Sequence, residues 1–289
     1  MNTVSVAICT GMGCDLTRLL ESLVRTDCDE ILIIGTQGCF FKRSDHFNDP
    51  RVKTLYAPHP LNAKRNFALR EARSDVLAFV DDDAVVGPNW LHAIRAGFLS
   101  DRVGIVTGPS LLPPKATLWQ RTAQLAMASS PYSQMRYNPF QEGIVDWYNV
   151  IGANFAFRKS ALSDAGGCPK EIFVQGEDMA MAHNVVAKGW AVYYSPRAFV
   201  CHPPHGFWRQ VVQIHRWGRA AKRLKRSGIV HPRRDIAYYF YIPVLVLFSL
   251  SYVFGEIKET MIRDYDIKAI AFVRKCITRC IIKCLGVRR

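Results

Sequence analysis

Over the first two hundred residues, short apolar runs alternate with stretches whose leucines and alanines recur at helical spacing. Val4–Cys9 opens the series as a β-rich run, closed by the turn Thr10-Gly11-Met12-Gly13. From Asp15 to Arg25 leucines fall at 16, 19, 20 and 23, one face of a helix capped by Asp15. Glu30–Ile34 predicts a second strand ending at Gly35, and Val52–Ala57 a third. Leu61–Arg73 reads as a helix, Val76–Val80 as a fourth strand, Pro88–Leu99 as a helix and Val103–Thr107 as a strand. Strands alternating with helices of this length predict a largely parallel sheet with helices on both faces. Ligands of such sheets bind at the carboxyl ends of the strands.

The pattern changes at residues 109–150, where prolines, aromatics and small polar residues dominate and Pro113-Pro114 and Ser129-Ser130-Pro131 break any long element. An excursion shaping a substrate pocket is expected there. Regular structure resumes with a short strand at Asn154–Arg158, a helix at Glu177–Lys188 and a strand at Val192–Tyr194. Residues 236–255 then run for 20 positions without a charge. A helix of that length is about 30 Å long, enough for a bilayer core, although a buried core helix reads the same. Tyr238, Tyr239, Tyr241 and Tyr252 lie towards its ends, and Pro243 predicts a kink.

Charge divides the chain. Residues 1–208 hold 20 Lys/Arg against 19 Asp/Glu, a net of +1, whereas residues 209–289 hold 18 against 5, a net of +13. A nearly neutral domain at 1–220 therefore carries a basic C-terminal appendage at 221–289, which implies an anionic partner. Within the appendage, 266–285 sets Ile267, Ile270, Ile277, Ile281 and Cys284 on one helical face and lysines and arginines on another, the pattern of a helix lying in a membrane interface. Basic residues flank the apolar stretch on both sides, which favours a re-entrant or in-plane arrangement over a clean span. Anionic lipid suits this better than nucleic acid, since no RNA- or DNA-binding motif is present. The nine cysteines are odd in number and scattered, and no basic residue precedes Arg18, so neither a disulfide framework nor a signal peptide is expected. Cys276, Cys280 and Cys284 repeat every four residues and read as small apolar residues on one helical stripe.

The densest chemistry is Asp81-Asp82-Asp83, directly after the fourth strand. Three adjacent carboxylates repel one another and call for a cation; Mg²⁺ or Mn²⁺, which prefer oxygen ligands, fit that need. The competing reading is an acidic cap on the helix opened by Pro88.

Further signals follow in order: Val-Ser-Val-Ala-Ile-Cys-Thr at 4–10, Lys64-Arg65-Asn66, Gly152-Ala153-Asn154 leading to Arg158, and Gly166-Gly167. Gly176-Glu177-Asp178, Tyr194-Ser195-Pro196 and Val200-Cys201-His202 complete the set, with Gln213-x-x-Arg216-Trp217 behind it. This series, over about residues 3 to 220, resembles the family 2 glycosyltransferases. The resemblance implies a GT-A fold, inverting transfer from a nucleotide-diphosphate sugar and a divalent cation. It also implies roles: Asp81 on the nucleoside, Asp83 on the metal, Asp82 between them, and His202 as a second metal ligand or a hydrogen-bonded structural histidine. Thr10 and Arg65 fall to the donor, with a helix-surface charge as the other reading of Arg65; Gln213 and Arg216 fall to acceptor or diphosphate and Trp217 to a sugar face, with a plain basic amphipathic helix as the other reading. Asp178 takes the part of general base, with Glu177 holding an acceptor hydroxyl; plain helix capping explains the same pair.

Two positions depart from the family. Its second strand usually ends in an aspartate that pairs with the nucleobase, where this chain has Gly35-Thr36-Gln37, and His183 stands where many relatives have arginine. The expected activity is transfer to a lipid-linked or membrane-held glycan acceptor at the cytoplasmic membrane face. A polyprenyl-phosphate sugar synthase is the near alternative, and a non-catalytic sugar-nucleotide-binding protein the distant one.

Overall fold

The computed structural model describes residues 2–11, 13–39, 41, 45–117, 120–121, 124, 141–170, 176–202, 220 and 223–229. The chain divides into two units, 1–243 and 244–289, and every residue of the second lies outside the described residues. So do the apolar stretch 236–255 and the amphipathic stretch 266–285. Among the described residues no helix is long and apolar enough to cross a membrane.

Eleven strands are described: β1 (Val4–Cys9), β2 (Glu30–Gly35), β3 (Val52–Tyr56), β4 (Val76–Val80), β5 (Val85–Val86), β6 (Val103–Thr107), β7 (Ser110–Leu111), β8 (Gly143–Val145), β9 (Asn154–Arg158), β10 (Ala191–Tyr194) and β11 (Val200–Cys201). The helices are α1 (Thr17–Val24), α2 (Leu61–Glu71), α3 (Trp90–Gly97), α4 (Lys159–Asp164) and α5 (Glu177–Ala187). Eight strands form one sheet in the order β3-β2-β1-β4-β9-β6-β10-β8. The first four are mutually parallel. β9 runs antiparallel between β4 and β6, setting Val80 opposite Asn154. A second, three-stranded sheet has the order β5-β11-β7.

Both faces of the sheet are covered at its centre, which is why strands such as β2, β4 and β6 read as near-continuous apolar runs. Val4, Val6 and Ile8 of β1 pack with Leu16, just before α1, with Leu19, Leu20 and Leu23 of α1 and with Trp90 and Ile94 of α3. Ala7, one position out of step, faces the other way with Leu77, Phe79, Phe155, Phe157 and the α5 residues Met181 and Val185. Burial of each such leucine or isoleucine contributes about 1.5–3 kcal/mol.

Two helices are shorter than their periodicity predicts, and the hydrogen bonds say why. α2 ends as Ala72 N–H makes the last bond back to Ala68, because the amides after it are taken by side chains of β2 and β1: Arg73 N–H donates to Glu30 Oε1 at 2.6 Å and Ser74 N–H to Ser5 Oγ at 3.2 Å. α3 begins only at Trp90, whose N–H closes a turn on the Gly87 carbonyl at 3.0 Å. α1 starts later than expected: Leu16, not Asp15, takes the N-cap position, and the Asp15 carboxylate accepts Thr17 N–H at 3.1 Å just outside the helix. Leu224 and Ile229 pack against Met179 and Ala180 at the start of α5.

Candidate active site

β4 delivers Asp81-Asp82-Asp83 to the carboxyl edge of the parallel strands. The backbone turns there: Asp81 N–H reaches the Ala153 carbonyl at 3.4 Å, and Ala84 N–H donates back to the Asp81 carbonyl at 3.1 Å. The three carboxylates then part company. Asp82 Oδ2 accepts the Thr10 hydroxyl at 2.6 Å, which ties the end of β4 to the end of β1. Asp81 and Asp83 stay open, with side chains 44% and 48% exposed.

His202 is brought to that pair by the small sheet. β11 lies between β5, which directly follows the aspartates, and β7, and His202 N–H donates to the Leu111 carbonyl at 2.9 Å. Its Nε2 lies 2.9 Å from Asp83 Oδ1 and 3.8 Å from Asp81 Oδ2. Burial disfavours the imidazolium, but the hydrogen bond to Asp83 and the charges of Asp83, Asp81 and Asp82 prevail and raise His202 to about 9. Desolvation pushes Asp81 up to about 7, helped by Asp83 and Asp82 and opposed by His202 and Arg65. Water reaching its exposed half moderates that rise.

One ligand atom from each of Asp81, Asp83 and His202 lies within 4.8 Å of the others. Two carboxylate oxygens and one imidazole nitrogen suit a divalent cation of the Mn²⁺ or Mg²⁺ kind, which would hold the same place as the histidine proton. The donor set therefore fits such an ion.

Asn154 holds the frame behind this cluster. Fully buried at the start of β9, its Nδ2 donates to the Gly108 and Ala198 carbonyls at 3.1 and 2.6 Å, and its Oδ1 accepts Trp90 Nε1–H at 2.8 Å. Gly108 is obligatory beside it, because a Cβ there would sit 2.1 Å from the Ala198 carbonyl oxygen.

The second acidic pair lies at the start of α5 and meets the first through one loop. Gly152, two residues before β9, packs on Asp178: a Cβ at 152 would be 2.9 Å from Asp178 Oδ2. The neighbouring Ala153 carbonyl is the one that Asp81 N–H contacts. Glu177 points elsewhere. Its Oε1 is 3.0 Å from Arg65 Nη1, and the two side chains are only 8% and 4% exposed. Burial raises the Glu177 carboxyl above its ordinary value, with Arg65 opposing and Asp178 adding to the rise. At Arg65 burial opposes the charge as well, but Glu177, Asp178 and the nearby cysteines together outweigh it and the guanidinium stays cationic.

With this geometry in place, comparison with known proteins decides the family. Residues 76–277 of the 289 match the model of glycosyl transferase family group 2. The chain belongs to that family. Pre-mycofactocin glycosyltransferases of two Mycobacterium tuberculosis strains are 25% identical over 156 residues, which is 52% of this chain and 32% of theirs. The chain thus spans about a third of the length of the curated relatives it matches. A Pyrobaculum calidifontis mannosyltransferase, solved with GDP-mannose and Mn²⁺, superposes with a TM-score of 0.56 at 14% identity, covering 97% of this chain and 81% of that one. Residues 1–349 of Staphylococcus aureus TarS give 0.54 at 14% identity, covering 91% and 77%. Both likenesses support the GT-A-type fold.

At the end of β2 a Cβ on residue 35 would lie 2.7 Å from the Phe41 ring, so glycine fits there. The His183 ring meets Trp147 edge-on at 5.2 Å. Gln213, Arg216 and Trp217 lie outside the described residues. Lys64, Asn66 and Asn154, to which the sequence motifs assign no role, each have one in the structure. Lys64 Nζ donates to the Thr10 carbonyl at 2.5 Å, and Asn66 clamps Cys168 with two hydrogen bonds of 2.8 Å. The signal was available: α2 places Asn62, Arg65 and Asn66 at helical spacing on one side and lacks a clean apolar stripe, the mark of a helix whose polar residues are used inside.

Proposed function

We propose that the chain is an inverting, divalent-cation-dependent glycosyltransferase that moves a sugar from a nucleotide-diphosphate donor to a hydroxyl of a membrane-held glycan or lipid-linked acceptor. The observation that carries the reading is the open Asp81–Asp83–His202 cluster, joined through the Gly152–Asn154 loop to Asp178. A cation bound at the cluster supplies positive charge to the diphosphate as its negative charge grows. Asp81, Asp83 and His202 would hold that ion, while Asp82, fixed by Thr10, keeps the turn in shape. Asp178 would accept the acceptor hydroxyl's proton. The freed oxygen forms a bond to the anomeric carbon, and the carbon–oxygen bond to the diphosphate breaks with its electron pair leaving on the diphosphate, inverting the centre. The +13 charge of residues 209–289 and the uncharged stretch 236–255 support an acceptor held at the cytoplasmic face of an anionic membrane.

The test is nucleoside diphosphate release by the purified chain across a panel of nucleotide sugars, with Mn²⁺ or Mg²⁺ and membrane extract as acceptor source. Release from one donor, abolished by EDTA and by Asp178→Asn, is the expected result. Release that persists in EDTA would remove the cation from the reading. Silence on every donor, with no donor binding by calorimetry, would leave a non-catalytic nucleotide-sugar fold.

A further inference from the structure

The Arg65–Glu177 pair is built differently from a ligand site. Arg65 has almost no accessible surface, whereas Asp81 and Asp83 keep nearly half of theirs. Its guanidinium is flanked by the rings of Phe155 and Phe79, 4.9 and 5.6 Å from their centroids, on β9 and β4. Nε and Nη1 make no aligned hydrogen bond among the described residues, so Glu177 meets the cation as an ion pair and is the strongest of the acidic groups that favour it. The helix around Arg65 is pinned on both sides, by Lys64 to the Thr10 carbonyl and by Asn62 to the Pro169 and Lys170 carbonyls, both at 3.0 Å. Arg65 is thus a fixed cation facing the first residue of α5, and the next residue is Asp178.

We propose that Arg65 is a positioning residue: by holding Glu177 in a closed ion pair it fixes the first turn of α5 and with it the Asp178 carboxylate against Gly152. This rests on the reading of Asp178 as general base. It assigns neither Arg65 to the donor nor Glu177 to an acceptor hydroxyl. Two buried partners of opposite charge depend on each other: removing one strands the other without compensation, while removing both leaves a neutral site of similar volume. The dependence gives the inference a signature that simple packing lacks.

The experiment is steady-state kinetics of the full chain, with the donor identified above and membrane acceptor, for Arg65→Met, Glu177→Gln and the double variant. Expected is a fall in kcat of about tenfold or more in each single variant, with donor and acceptor KM within about twofold of the unaltered chain. The double variant is expected to recover most of that loss, a clear departure from additivity. If Arg65→Met does not fold by circular dichroism, a folded and active double variant with unchanged KM values supports the inference on its own. A rise in donor KM in Arg65→Met, or in acceptor KM in Glu177→Gln, with kcat intact would overturn it by making these side chains ligand contacts. A double variant no better than the worse single variant would overturn it too. An unaltered chain that transfers nothing counts against the function reading, whereas an active one indifferent to Arg65→Met counts against this inference alone.

Discussion

Two acidic pairs sit at the same end of the sheet, and the protein neutralises them in opposite ways. Asp81 and Asp83 are half exposed and meet a histidine whose proton can be exchanged for a metal ion. Glu177 is closed over, and its counter-charge is Arg65, which cannot give up its proton. An open pair takes its compensating charge from solution and can release it; a closed pair keeps its compensation for the life of the fold. The first arrangement suits a ligand that arrives and leaves. The second suits a residue next door, Asp178, that must not move.

Breaking the open pair gives the largest expected effect. Asp83→Asn should lower turnover about 1,000-fold, on the order of 4 kcal/mol of lost charge stabilisation, and abolish Mn²⁺ binding by calorimetry. Because Asp83 is exposed, thermal stability should hardly change, and a large drop in Tm would mean that the site is structural. Asp178→Asn should cost on the order of 100-fold in kcat while Mn²⁺ binding persists, which separates the two pairs by measurement.

The frame that both pairs share is the next target. Asn154→Ala strands Trp90 Nε1–H and the Gly108 and Ala198 carbonyls without their partner in a fully buried place. A stability loss of about 3 kcal/mol is expected from urea unfolding, larger than for any single exposed carboxylate. A loss under about 1 kcal/mol would show that water replaces the amide. Gly152→Ala is milder. The new methyl carbon meets only the end of the Asp178 side chain, which can swing aside, so the fold should stand while kcat drops about tenfold to a hundredfold.

These contrasts explain what could be read from the sequence. The strands β1, β2, β4 and β6 were legible because both their faces are largely apolar, as in the run Val76–Val80. The acidic run was legible because it follows such a strand. The direction of β9 was not, since an apolar pentapeptide carries no sign of the strand it will pair with. Nor was the small sheet of β5, β7 and β11, whose strands are two residues long and too short for any period. His202 was found by motif order alone, and its approach to Asp83 depends on that unseen sheet. The burial of Arg65 was hidden for another reason: an arginine on a helix reads as a surface charge until its partner, 112 positions later in the chain, is folded against it.

A second buried carboxylate sharpens the comparison at the opposite end of β2. Glu30 is as inaccessible as Glu177, yet burial does not win there. Its oxygens accept the Ser5 hydroxyl at 2.7 Å, Arg73 N–H at 2.6 Å and Lys53 Nζ at 3.0 Å. Desolvation pushes the carboxyl up, and the bonds from Arg73, Ser5 and Lys53 overcome it, leaving Glu30 below its ordinary 4.5. Aligned donors thus do for Glu30 what one off-line guanidinium does not do for Glu177. A depressed folded value means that Glu30 stabilises the fold above pH 4.5 and loses that contribution as pH falls through the folded value. Glu30→Gln should therefore cost about 1 kcal/mol in urea unfolding at pH 7, with the gap to the unaltered chain narrowing as the buffer is taken to about pH 3.5. A gap that stays constant over that range would mean that Glu30 is neutral in the folded state, and that burial rules both carboxylates alike.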